Sequence, residues 1–118
     1  MAKLQIKRVY ELKARGDGQR VLIDRIWPRG IRKEALSDAL WLKEIAPSTA
    51  LRRWFGHRPE RWNEFRRRYW IELDQAQAPV EKLQGLTRKG TVTLLYAARD
   101  SEHNQAVALR DYLEQQKR

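Results

Sequence analysis

Two near-continuous apolar runs stand out in the chain, Val21-Leu22-Ile23 and Val92-Thr93-Leu94-Leu95-Tyr96. Both predict buried strands, over residues 20–24 and 91–97, and the second suits a central position covered on both faces. Residues 4–9, Leu-Gln-Ile-Lys-Arg-Val, alternate apolar and polar positions and predict a half-buried strand. Residues 14–19, Ala-Arg-Gly-Asp-Gly-Gln, are loop chemistry between the first two strands. That connection is short for a helical crossover. It fits an antiparallel hairpin or a parallel arrangement joined by a loop, and spacing alone leaves both open.

Pro28 and Gly30 break the chain, after which the pattern predicts a helical region from Ser37 to Ile45 that buries Leu36, Leu40 and Trp41. Pro47 stops it, and Ser48 is the expected N-cap of a short helix that turns Leu51, Trp54 and Phe55 inward and ends near Gly56. Arg58-Pro59 opens the longest helix. There Trp62, Phe65, Tyr69 and Leu73 recur at helical spacing and define a core face. Ala78-Pro79 marks a further break, followed by a short helix through Val80, Leu83 and Leu86 that closes at Gly90. Asp100 or Ser101 is the expected cap of a last helix with Ala106, Leu109 and Leu113 on one face. The alternation predicts an α/β fold, a small, largely parallel central sheet of about three strands with helices packed on both faces.

At 118 residues the expectation is one domain spanning 1–118. The apolar fraction of 42% and five tryptophans mark a folded globule. No apolar run approaches the roughly 18 residues needed to span a bilayer, so no membrane partner is expected. The opening Met-Ala-Lys-Leu-Gln-Ile-Lys-Arg enters a strand pattern without a signal-peptide core, and the expected location is the cytoplasm. The absence of cysteine removes disulfides, zinc-thiolate sites and thiol nucleophiles.

Lys and Arg number 25 against 15 Asp and Glu, a formal net charge of +10, which brings nucleic acid into consideration. Much of the excess lies over residues 52–68, where Arg52, Arg53, Arg61, Arg66, Arg67 and Arg68 are the candidate nucleic-acid contacts. The competing reading is a solvated arginine-rich face, partly balanced by Glu60, Glu64, Glu72 and Asp74.

The chemistry of greatest interest begins where the two apolar strands stop. Asp24-Arg25-Ile26-Trp27-Pro28-Arg29-Gly30 follows one, and Arg99-Asp100-Ser101-Glu102-His103-Asn104 follows the other. If the strands are parallel neighbours, both segments converge on one edge of the sheet, the usual place for a ligand crevice in an open α/β fold. Pro28 stiffens the first segment, and Arg25 and Arg29 are guanidinium groups suited to bidentate capture of phosphate or carboxylate. Asp24 either orients these arginines, pairs with one to pin the loop, or is a carboxylate base. The second segment meets a helix N-terminus, where backbone N–H groups favour anions. Arg25, Trp27, Arg29, Asp100, His103 and Asn104 are therefore the candidate ligand-binding residues. His103 and Asp24 are the weaker candidates for proton transfer, with no nucleophile to name. His57 either reaches the same pocket or closes a helix end. No metal site is expected, since the two histidines lack ligand spacing. No cofactor is expected either, because GxGxxG, GxxxxGK[ST] and GxSxG are all absent.

At these same residues the chain resembles a known family. Val21 to Gly30, then Trp41-Leu42-Lys43-Glu44-Ile45-Ala46-Pro47-Ser48 with Leu51-Arg52-Arg53-Trp54-Phe55, resemble the YeaO-like proteins of the DUF488 domain-of-unknown-function family. So do Arg61-Trp62, Phe65, Tyr69, and Thr93 to Ala98 with Asp100, His103 and Asn104. The resemblance implies a compact α/β domain with a largely parallel sheet and no established reaction. Many members of the wider family carry a cysteine-containing stretch ending in Cys-His-Arg after the later strand. Here Tyr96, Asn104 and Gln105 stand in that region, so thiol or metal chemistry does not carry over.

Three functions compete at this level. One is a protein that binds a small anionic ligand at the strand ends, and a second is a sequence-tolerant nucleic-acid module using residues 52–68. The third is an adaptor for an acidic protein.

Overall fold

A computed structural model describes residues 3–116. Residues 1, 2, 117 and 118 of the expected 1–118 span lie outside the described residues. Four strands form one parallel sheet: β1 (Leu4–Arg8), β2 (Gln19–Leu22), β3 (Leu40–Trp41) and β4 (Val92–Tyr96), in the order β1-β4-β2-β3. All three pairings are parallel, with Ile6 and Val21 both opposite Leu94. The first two strands therefore do not pair with each other. Both run parallel to β4, one on either side, which settles the direction that spacing left open.

β4 is buried along its whole length, as its apolar run requires. Leu94 and Leu95 are both fully buried but belong to different cores. The larger core lies against Val21, Val92, Leu94 and Tyr96. All four helices pack into it: α1 (Thr49–Phe55), α2 (Trp62–Gln75), α3 (Gln77–Lys89) and α4 (Gln105–Gln116). Both faces are covered, but unequally. On the second face Val9, Leu22 and Leu95 pack against Leu36, Trp27, Ile31 and Ala39, which belong to an irregular segment with one 3₁₀ turn at Lys33–Leu36. The proline-tryptophan loop thus folds back over its own strand. The other half of that face is polar, where buried Arg20 forms an ion pair of 2.7 Å with Asp38 and Thr93 donates to the Asp17 carbonyl.

Three expectations change. Residues 37–45 contain no α-helix; Leu40–Trp41 is β3, flanked by 3₁₀ turns at Lys33–Leu36 and Lys43–Ile45. A stretch this short nucleates poorly as a helix, and pairing with β2 satisfies backbone groups that β2 would otherwise leave open. Trp41 is accordingly 40% exposed rather than buried. Second, the break near Pro79 lies at Ala76, and α3 is 13 residues long with Pro79 inside its first turn, where the missing N–H has no intrahelical partner anyway. Third, neither Asp100 nor Ser101 caps the last helix. That role belongs to Asn104, whose Oδ1 accepts the Val107 N–H at 3.1 Å.

The remaining helices follow their patterns. Ser48 caps α1 by accepting the Leu51 N–H at 3.1 Å, and Gly56 closes it in the left-handed region. Phe65, Tyr69 and Leu73 form the buried face of α2. Tyr69 also donates a buried hydrogen bond of 2.7 Å to the Ile45 carbonyl. Glu72 accepts from both the Ser48 N–H at 2.8 Å and its hydroxyl at 2.6 Å. Through these two residues α2 holds the 45–48 loop. Tyr69→Phe is expected to lose about 1 kcal/mol, because it leaves the Ile45 carbonyl unpaired. Chemical denaturation with an unchanged m-value would check it.

Candidate functional site

β2 and β4 run side by side in parallel, so residues 24–30 and 97–105 leave the sheet at the same edge. Between them and α1 lies a crevice of about 490 Å³. Asp24, Arg25, Trp27, Arg29 and His103 all line it, as do Tyr10, Arg52, His57 and Gln105. Phe55, Phe65, Pro28 and Pro47 supply an apolar wall.

Asp24 is the most constrained group. Its Oδ2 accepts the Ala97 N–H at 3.0 Å, its Oδ1 accepts from the Gln105 amide, and its backbone carbonyl accepts Trp41 Nε1–H at 2.7 Å. The carboxylate therefore ties the end of β2 to the end of β4 and the first residue of α4. Among the described residues no ion pair links it to Arg25 or Arg29, so the expected orienting or pinning of those arginines by Asp24 is corrected. Burial pushes its carboxyl up to about 6, against the opposing pull of the Gln105 and Ala97 hydrogen bonds and the nearby Arg52 charge.

Arg25 is positioned by backbone carbonyls. Its guanidinium donates to Ala46 O at 3.1 Å and Pro47 O at 3.4 Å, in the loop that α2 holds. Arg29 is exposed, and its carbonyl accepts the Tyr10 hydroxyl at 2.8 Å. Trp27 spends its N–H on the Ile31 carbonyl at 2.7 Å and packs edge-on against Trp41, so its contribution to the crevice is shape.

His103 has a partner that spacing did not reveal. Its Nδ1 lies 2.9 Å from Asp100 Oδ2, and its ring meets Trp62 edge-on. The Glu102 N–H and the His103 ring hold the Asp100 carboxyl below the usual carboxylate range. An ionised Asp100 makes Nδ1 the donor, which leaves Nε2 to accept or carry a proton. Two of the six expected ligand residues are elsewhere. Asn104 is 1% exposed, caps α4 and donates to the Asp100 carbonyl at 2.8 Å, so its role is architectural. Asp100 does not line this crevice; it caps its own turn through the Glu102 and His103 N–H groups.

The arginine-rich stretch divides. Arg52 turns into the crevice. Arg61 and Arg68 both stack on Trp54, at 5.0 and 4.3 Å from its ring, and Arg61 also donates to the Trp54 carbonyl. Arg67 and Arg68 pair with Glu64 at 2.8 and 2.7 Å, and Arg66 lies over Trp70 at 5.2 Å. Arg53 is exposed. Among the described residues no cluster of His, Asp and Glu has the make-up of a metal site, and no helix is long and apolar enough to cross a membrane.

Residues 3–118 match the family model described as the inactive DUF488-N3 subclade. An uncharacterised protein of Mycobacterium tuberculosis is 44% identical over 111 residues, covering 94% of this chain and 93% of its own. The uncharacterised protein YeaO of Escherichia coli is 42% identical over 110 residues, covering 93% of this chain and 96% of its own. No solved structure gives a significant match.

Proposed function

The chain belongs to the inactive DUF488-N3 subclade, and on that premise we propose that it is a binding protein, taking a small phosphate- or carboxylate-bearing ligand in the strand-end crevice. The carrying observation is the charge of the lining. Arg25, Arg29 and Arg52 converge on one hollow with His57 and His103, and Asp24 is the sole carboxylate among its lining residues. Guanidinium groups beside an apolar wall suit bidentate capture of anions, and Arg25 is already held in place by the Ala46 and Pro47 carbonyls. A subclade described as inactive accords with a site that holds a ligand without turning it over. The nucleic-acid reading is weaker, because Arg52 faces the crevice and Arg67 and Arg68 are engaged by Glu64.

Thermal melts with sulfate, inorganic phosphate, pyrophosphate and a short single-stranded oligonucleotide, at low and moderate salt, test this reading. A ligand at one hundred times its Kd adds about 2.7 kcal/mol, which raises the melting point of a domain this size by several degrees. The expected result is a shift from the small anions that persists at moderate salt. A shift from the oligonucleotide alone, collapsing with salt as counterion release requires, contradicts it.

A further inference from the structure

The crevice continues past His57. A second, more open hollow of about 860 Å³ lies along the ends of β1 and β4, with Arg8, Arg99 and Asp100 on its walls. Its other four residues, Tyr10, His57, Ala97 and Ala98, also line the first hollow. We propose that the two hollows form one groove, and that it holds an elongated small molecule bearing a phosphate-class anionic group at each end. This rests on the anion-binding reading of the first hollow and extends it to the size and valence of the ligand.

Each hollow has its own cations. Arg8 donates through Nε to the Ala98 carbonyl at 3.0 Å and lies over the Tyr10 ring at 4.6 Å, which fixes its guanidinium while its terminal nitrogens stay clear of those bonds. Arg99 is exposed at the end of β4. Asp100, the one acidic residue there, already accepts from the Glu102 and His103 N–H groups and the His103 ring. The second hollow therefore presents two arginines against one committed carboxylate.

His57 marks the junction. At φ 58° it is the one non-glycine residue in the left-handed region among the described residues. Such a conformation is disfavoured for a side chain with a Cβ, and it persists where the surroundings hold it. Here it carries an imidazole to the boundary that both hollows share. One compact anion reaches one set of arginines. A ligand with two linked anions reaches both, and its second contact forms at the high effective concentration that linkage provides.

Calorimetric titration with hexyl phosphate and with the corresponding hexanediol bisphosphate tests the proposal. The bisphosphate is expected to bind at least about tenfold more tightly, beyond the twofold that two equivalent ends supply. Arg99→Ala, a surface change, should cost the bisphosphate several-fold more affinity than it costs hexyl phosphate. His57→Asn, which tolerates the left-handed backbone, should also weaken the bisphosphate more. Equal affinities for the two probes, both dependent on Arg52, would overturn the groove and leave the single-crevice reading standing. Failure of both probes to bind would remove both.

Discussion

Asp24→Asn is expected to stabilise the protein at pH 7.5 by roughly 1–3 kcal/mol, raising the melting point by several degrees. The folded chain holds the Asp24 carboxyl at about 6, against 3.8 when unperturbed, because burial disfavours its charged form. Between those two values the folded state binds more protons than the unfolded state. Stability therefore falls as pH rises from about 4 to about 6, then stays level on account of this group. Below pH 4 the carboxyl is neutral in both states and the effect disappears. Asparagine keeps the acceptor for the Ala97 N–H, and Gln105 can turn its amide to accept from the new NH₂ group, so the tie between β2 and β4 survives. Melts of both proteins from pH 4 to pH 8 should converge at the acid end and separate above pH 6. A variant less stable at pH 7.5 would instead make the charge structural, paired in effect with Arg52. A carboxylate kept at a cost to stability, facing a crevice, is the pattern of a functional position.

Arg52→Ala should reduce affinity for sulfate about tenfold to a hundredfold with little change in stability. Charge-assisted hydrogen bonds contribute about 1.5–3 kcal/mol, which corresponds to that range. Arg52 is exposed on α1, lines the crevice and lowers the pull toward protonation at Asp24, but its side chain makes no hydrogen bond among the described residues. Arg25 is a poorer test, since its bonds to Ala46 and Pro47 also brace the loop before α1. Arg67→Ala supplies the control on the far arginines. Equilibrium titration with sulfate, whose charge is constant across this pH range, separates the two. Equal losses in both variants would indicate diffuse attraction to a basic surface.

The place of the candidate site was legible because β4 and β2 are marked by their apolar runs and are followed within three residues by charged segments. Parallel adjacency then brings residues 24–30 and 97–105 together. What pattern could not supply was the partner of each group. Asp24 and Gln105 are joined across 81 positions, and a carboxylate beside two arginines in sequence points to those arginines first. Arg52 was obscured by its neighbours, as one arginine in a run of which Arg61, Arg66, Arg67 and Arg68 lie on Trp54, Trp70 and Glu64. Tyr10 enters from the loop after β1, which comes near the crevice only because β4 separates the first two strands. β3 was missed for the same reason: two residues become a strand because of the edge they meet, not because of their own propensity.

The most direct test of the account is an amide chemical-shift titration of the wild-type chain with sulfate. The prediction is saturable shifts confined to residues 24–29, 46–57 and 97–105, largely abolished in Arg52→Ala. Shifts centred on residues 61–70, or small changes across the whole surface that track ionic strength, would contradict it.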